Sequence, residues 1–247
     1  MNESNFDQST HRRSFLGFVA KGAAAVGISA AFTSLPLKQI QKSAGVSNID
    51  ISAMNEADVW FGKVKGKHRV VFDATRPNEI MPFVWPKIFL LTNAATGTPE
   101  HDNSVVVVLR HNAIPYAFMD NMWEKYHFSE VFKADDVGSA FQAADAKTAA
   151  KTRNPFWNTK HGDFMAPGFG AVDIGIKDLM ASGVMFCVCN AAMTVFSNVI
   201  AGMHNMKADD VMNDWKANII PGVQIVPSGV WALGRAQEHK CAYIFAG

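Results

Sequence analysis

An α/β fold, a three-layer sandwich around a mostly parallel five-stranded sheet, is what this sequence predicts. Three observations carry that reading. Short apolar runs rich in β-branched residues, such as SVVVVL (104–109) and VMFCVC (184–189), have the pattern of strands buried on both faces. Amphipathic stretches with apolar residues at i, i+3 and i+4 separate these runs. Connections are short through most of the chain, so strand and helix alternate, as in a parallel sheet covered on both sides.

The elements follow in order. Residues 32–66 are polar and weakly periodic, and read as a linker followed by a surface arm. Residues 69–74 (RVVFDA) are the first strand. A helix over 77–95 places Ile80, Phe83, Val84, Ile88 and Leu91 on one face, with Pro86 as a kink. The second strand, 104–109, ends in Arg110, His111 and Asn112. Asn112 is a cap candidate for a helix with Pro115 in its first turn and an apolar face of Phe118, Met119, Met122, Trp123 and Tyr126.

Residues 127–170 break the alternation and read as an insertion with few regular elements. Its Phe156, Trp157, Phe164 and Phe169 call for burial. Two docking places are expected: over the edge bearing Cys189, as a lid, or across a subunit interface, as an arm, which is preferred. A helix over 172–182 then feeds the central strand at 184–189. Asn190 is the expected cap of the next helix, whose face carries Ala192, Val195, Phe196, Val199 and Met203. A helix over 207–219, a fourth strand at 223–226, a helix over 230–239 capped by Ser228, and a closing strand at 242–245 complete the chain.

Composition narrows the function classes. Hydrophobic residues make up 49% and charged residues 18%, enough for a sizeable core. A formal charge of +1 gives no reason to expect nucleic acid or an anionic membrane as partner. The first thirty-one residues read as an address. HRRSFLGF, with Arg12 and Arg13 paired and Phe15 and Leu16 following, precedes a weakly apolar Ala/Gly-rich stretch and resembles a twin-arginine export signal. It predicts a periplasmic or exported protein, held at the membrane only if the segment is retained.

Three cysteines remain: Cys187, Cys189 and Cys241. They have no disulfide-framework spacing, and Cys187 and Cys189 are read as pointing apart and unbridged. Cys189 ends a buried strand where a helix begins, the edge of an α/β sheet where ligands collect. It is either a small buried hydrophobe or a reactive thiol. If the strands are parallel, Arg110, His111, Asn190 and Ser228 share that edge. His111 would hold or generate a thiolate, or else be a hydrogen-bonded strand-end residue. Arg110 would meet an anionic sulfur species, or pair with a carboxylate. The sequence lacks GxGxxG, Walker and GxSxG motifs, so no nucleotide cofactor or serine hydrolase is expected. Met203-His204-Asn205-Met206 reads as a helix end with core methionines rather than a copper site.

The run VMFCVCNAA, the VVVVLRHNAI junction and the tail IVPSGVWALGRAQEHKCAYI together resemble the DsrE/DsrF-like family over residues 67–247, apart from the insertion. The resemblance implies an α/β/α sandwich that associates into homo-oligomers. It also implies a sulfur-metabolism role in which a strand-end cysteine, by position Cys189, carries sulfane sulfur as a persulfide without a cofactor. Partners would be a sulfur donor or acceptor protein or a small sulfane-sulfur species. The export signal and the insertion depart from the family's cytoplasmic relay proteins, which leaves a non-catalytic periplasmic binding or assembly module as the alternative.

Overall fold

The computed structural model describes residues 51–247, and the export-signal and linker readings over residues 1–50 lie outside them. The described residues belong to one compact unit. Its centre is a five-stranded, all-parallel sheet. In chain order the strands are β1 (His68–Ala74), β2 (Asn103–Leu109), β5 (Val184–Cys189), β6 (Gln224–Val226) and β7 (Ala242–Phe245), and they lie side by side as β6-β5-β2-β1-β7. A two-stranded antiparallel ribbon, β3 (Met165–Ala166) with β4 (Gly170–Ala171), stands apart.

Strand order explains the layers. From β1 the chain steps through β2 and β5 to β6, then returns across the sheet to place β7 beside β1. Parallel crossovers are right-handed, so a return in the opposite direction puts its helix on the opposite face. That helix is α9 (Gly229–Glu238), and with α1 (Ile51–Phe61) it forms one outer layer. Val71, Val106, Val108, Cys187 and Val226 face it and pack with Trp60 and Phe61 of α1 and with Val64. The alternate strand residues, including Phe72, Val107, Leu109, Phe186 and Val188, face the larger layer. That layer holds α2 (Met81–Ala95), α6 (Ile176–Ala181), α7 (Asn190–His204) and α8 (Ala208–Ala217), with the segment between β2 and α6. The architecture is an α/β/α sandwich, as the periodicity predicts.

Several expectations need correction. Part of the supposed arm is α1, whose Ala57, Trp60 and Phe61 are buried against α9. The single helix expected after Asn112 is a 3-10 turn, His111–Ala117, followed by extended Phe118 and a short α3 (Asp120–Lys125). Pro115 lies inside the tight turn, where its missing N–H and fixed φ favour 3-10 geometry over a long α-helix. Asn112 is therefore not a cap.

The insertion is more ordered than expected. It contains α4 (Phe128–Phe132), α5 (Ala146–Thr152) and the β3–β4 ribbon. Within the chain, its aromatics pack into the core beneath α2. Phe156 is stacked on Phe83 with ring centres 3.9 Å apart and on Phe164 at 5.1 Å, and meets Tyr116 edge-on at 5.3 Å. Asn154, also buried, donates from Nδ2 to the carbonyls of Tyr116 and Phe118, both at 2.9 Å. Of the four aromatics expected to be buried, Phe169, at the ribbon turn, is left in solvent at 73% exposure.

Candidate functional site

The carboxyl edge of the sheet gathers the predicted residues by register. Leu109 is paired with Val188, so Arg110 and Cys189 leave adjacent strands side by side, and Cys189 is itself paired with Val226 just before Ser228. Cys189, rather than Asn190, is the N-cap of α7: its Sγ accepts the Ala192 N–H at 3.2 Å. A sulfur on the capping side chain takes the part usually played by a Ser or Asp oxygen. The thiol is 6% exposed and belongs to the core on the α7 side. Asn190 is the first helical residue, and its Oδ1 is buried without a hydrogen-bond partner among the described residues. Ser228 is the expected cap, accepting the Trp231 N–H at 3.2 Å.

Arg110 is held from below by Asp73 on β1. Its Nε donates to Asp73 Oδ1 at 2.7 Å and its Nη2 to Oδ2 at 2.9 Å, a two-point match of guanidinium to carboxylate. The Tyr243 hydroxyl on β7 donates to the same carboxylate at 2.8 Å. Asp73 is 1% exposed, so both partners offset the cost of burying its charge. Gly229 leaves room for the Arg110 stem: a Cβ there would lie 2.5 Å from Arg110 Cβ and 2.6 Å from its Cδ. The hydrogen bonds to Asp73 raise the Arg110 pKa against desolvation, and Cys189 is among the groups whose charge adds to that rise.

His111 opens the 3-10 turn in a left-handed conformation, φ 50°. The side chain is exposed, hydrogen-bonded to the Thr75 backbone, and set edge-on to Phe196 of α7 with ring centres 5.9 Å apart. Desolvation lowers its pKa first, the Thr75 bond opposes that shift, and the Arg110 charge reinforces it. A lowered imidazole pKa means the unfolded chain binds the extra proton more readily. This contribution to stability is whole above the ordinary histidine value of 6.5 and is lost as pH falls through it. His111→Asn, which accepts the left-handed backbone, is expected to lessen the stability lost between about pH 7.5 and 5.5 in denaturant titrations. Equal losses in wild type and variant would remove His111 as the cause.

All three cysteines are free and buried. The reading that Cys187 and Cys189 point apart is wrong in its reason, because residues two apart on a strand start from the same side of the pleat. The turn into α7 brings Cys189 against the opposite core from Cys187. Burial first, and the nearby Cys189 second, push the Cys187 thiol pKa upward.

Asp73 and Tyr243 were missed in the sequence as members of this site. The signal for Asp73 was present, since an acid inside the apolar run RVVFDA calls for a partner. Nothing comparable marks Tyr243. Two surface depressions lie elsewhere: about 430 Å³ and 220 Å³ of space border Leu90, Glu100, Asn103 and Ser182, near the amino ends of the strands. No described helix is long and apolar enough to cross a membrane.

No family model and no curated protein matches the chain. Among solved structures it is similar to the protein of unknown function MTH1491 from Methanobacterium thermoautotrophicum, at 16% identity and a TM-score of 0.34, over 72% of this chain and 98% of that one. A likeness of that size carries no argument about activity.

Proposed function

We propose that this is an exported, periplasmic DsrE-like protein of sulfur metabolism that carries sulfane sulfur as a persulfide on Cys189. One observation supports the reading above the rest: the Cys189 sulfur caps a helix N-terminus beside the Asp73-anchored Arg110. A terminal sulfur on Cys189 would stand at the same sheet edge as a guanidinium already held in place by Asp73. Helix N-termini and guanidinium groups both favour negative charge, which a persulfide bears on its outer sulfur. Asn190 Oδ1 offers an acceptor to its protonated form.

The chemistry is an exchange with a donor persulfide R–S–SH. The Cys189 sulfur attacks the donor's terminal sulfur, and a new S–S bond forms. The donor's own S–S bond breaks, with its electron pair leaving on R–S⁻, and the thiol proton of Cys189 ends on that leaving group. Cysteine and donor persulfide become cysteine persulfide and donor thiol, with no outside oxidant. His111 is the group on this edge to move the proton, through water. Arg110 and Ser228 complete the proposed site, Ser228 by fixing the start of α9. The protein would work as a homo-oligomer, taking sulfur from a donor protein or a small sulfane-sulfur species.

The near-complete burial of Cys189 favours a second reading, a non-catalytic binding or assembly module in which the thiol only packs. Intact mass after incubation with inorganic polysulfide separates the two. A gain of one sulfur atom, lost in Cys189→Ser and kept in Cys187→Ser, is expected for the carrier. A wild-type mass that does not change, with Cys189 resistant to alkylation, would leave the packing module.

A further inference from the structure

β7 is an outermost strand of the sheet, and it is bare. Ala242, Tyr243, Ile244 and Phe245 are all exposed, the last three at 46%, 37% and 50%. Strand edges are normally blunted by charge, proline, shortness or a covering element. β6, at the other edge, follows that rule: it is three residues long, and α1 packs against it. β7 carries no charge and no proline.

Register fixes which backbone groups of β7 are left over. Asp73 is paired with Phe245, and the Asp73 carbonyl accepts the Ala246 N–H at 2.9 Å. Backbone direction alternates along a strand, so Ala242, Ile244 and Ala246 turn their N–H and C=O toward β1. Tyr243 and Phe245 turn theirs outward. We propose that β7 pairs with β7 of a second copy of this chain, antiparallel about a two-fold axis through Ile244. Such an axis, perpendicular to the sheet, keeps every residue on its own face, so facing residues lie an even number of positions apart. Centred on Ile244, Tyr243 of each copy faces Phe245 of the other in a hydrogen-bonded pair, and every outward N–H and C=O is used. Centred one residue earlier, Phe245 would face Cys241, whose N–H is already given to the Ala236 carbonyl. The same register sets two aromatic pairs on the α9 face and an isoleucine pair on the other.

Area favours a second copy over a bare peptide strand. Tyr243 and Phe245 are close to half exposed, which leaves ~100 Å² of each aromatic to cover. With Ile244 and both copies counted, the strands alone cover roughly half of the 1,200 Å² at which stable interfaces begin. A peptide would stop there, whereas a second copy continues the sheet and brings helical layers on both of its faces. Two-fold pairing also closes on itself instead of growing into a fibre. The interface reaches the sheet edge described above, because the Tyr243 hydroxyl donates to Asp73, the carboxylate that anchors Arg110. It makes specific the homo-oligomer of the proposed function and is independent of sulfur transfer at Cys189, so the two fail separately.

The test is sedimentation velocity of the full chain over a concentration series, beside thermal unfolding of each variant. Wild type is expected to pass from monomer to dimer, with nothing larger. Phe245→Pro removes an outward donor that β1 does not use, so the sheet is kept while the pairing loses hydrogen bonds. Ile244→Lys sets like charges opposite each other across the axis. Each should weaken the dimer at least about tenfold. Register is read by adding a cysteine and oxidising with diamide. Ile244→Cys should cross-link, because facing residues of a non-hydrogen-bonded pair have Cα atoms about 4.5 Å apart. Phe245→Cys should not, because its two copies would lie ~8 Å apart, beyond disulfide reach. The native cysteines are buried, and wild type serves as the blank. A chain still monomeric at ~100 µM, or a dimer undiminished in both Phe245→Pro and Ile244→Lys, would overturn the pairing. Equal cross-linking of the two cysteine variants, or open-ended assembly, would overturn the two-fold register.

Discussion

Arg110→Ala is expected to destabilise the protein by about 3–5 kcal/mol, the usual effect of removing one partner from a buried ion pair. The reason lies with the residue left behind. Asp73 is 1% exposed, and without Arg110 its carboxylate would keep only the Tyr243 hydroxyl among the partners that now hold it. The Arg110 stem also fills the space left by Gly229, so its loss opens a gap under the first turn of α9. Arg110→Lys should recover little, because an ammonium on a flexible stem does not reproduce two fixed N–H···O bonds. Asp73→Asn added to Arg110→Ala should regain part of the loss, since a neutral amide is far less costly to leave half-paired. Urea unfolding of the two single variants and the double variant forms the cycle. A loss below about 1 kcal/mol for Arg110→Ala, or a double variant no better than that single one, would show that the pair does not hold the edge together.

Phe156→Ala is expected to cost about 3–5 kcal/mol by the same measurement, the range for emptying an aromatic from a packed core. Its ring lies between Phe83 and Phe164 and against Tyr116, fully buried. Deleting it removes the contact that joins residues 127–170 to α2. Phe169→Ser, at the exposed ribbon turn, should change stability by less than about 0.5 kcal/mol. Similar small effects from both would mean that the segment finds its burial against another subunit after all.

The α/β sandwich was legible because burial on both faces writes itself locally. VVVV in β2 and VMFCVC in β5 are apolar at every position, and only a central parallel strand makes that pattern economical. The Ser228 cap was legible for a similar reason, since a cap bonds to an N–H only three residues on. The same rule failed at Asn190, one residue late, because a cysteine is seldom expected to cap and Asn is a stronger candidate. The helix α1 was hidden by its own weak amphipathicity, since its buried face is limited to a few residues such as Ala57, Trp60 and Phe61, packed against β6 and α9.

The aromatic residues of 127–170 announced by themselves that they would be buried, but not where. Their partners, Phe83 and Tyr116, are supplied by earlier parts of the chain, and hydrophobic burial has no direction that a sequence can record. The edge around Cys189 divides in the same way. The sequence by itself determined that a thiol, a guanidinium, an imidazole and a capping hydroxyl would stand at strand ends, because period-two burial and the run lengths set where each strand stops. Only the tertiary structure decided that Arg110 answers to Asp73, 37 residues away, and Asp73 to Tyr243, 170 residues away. Those choices depend on strand order, on β7 returning beside β1, and strand order is set by crossover handedness and packing across the whole sheet rather than by any local run of residues.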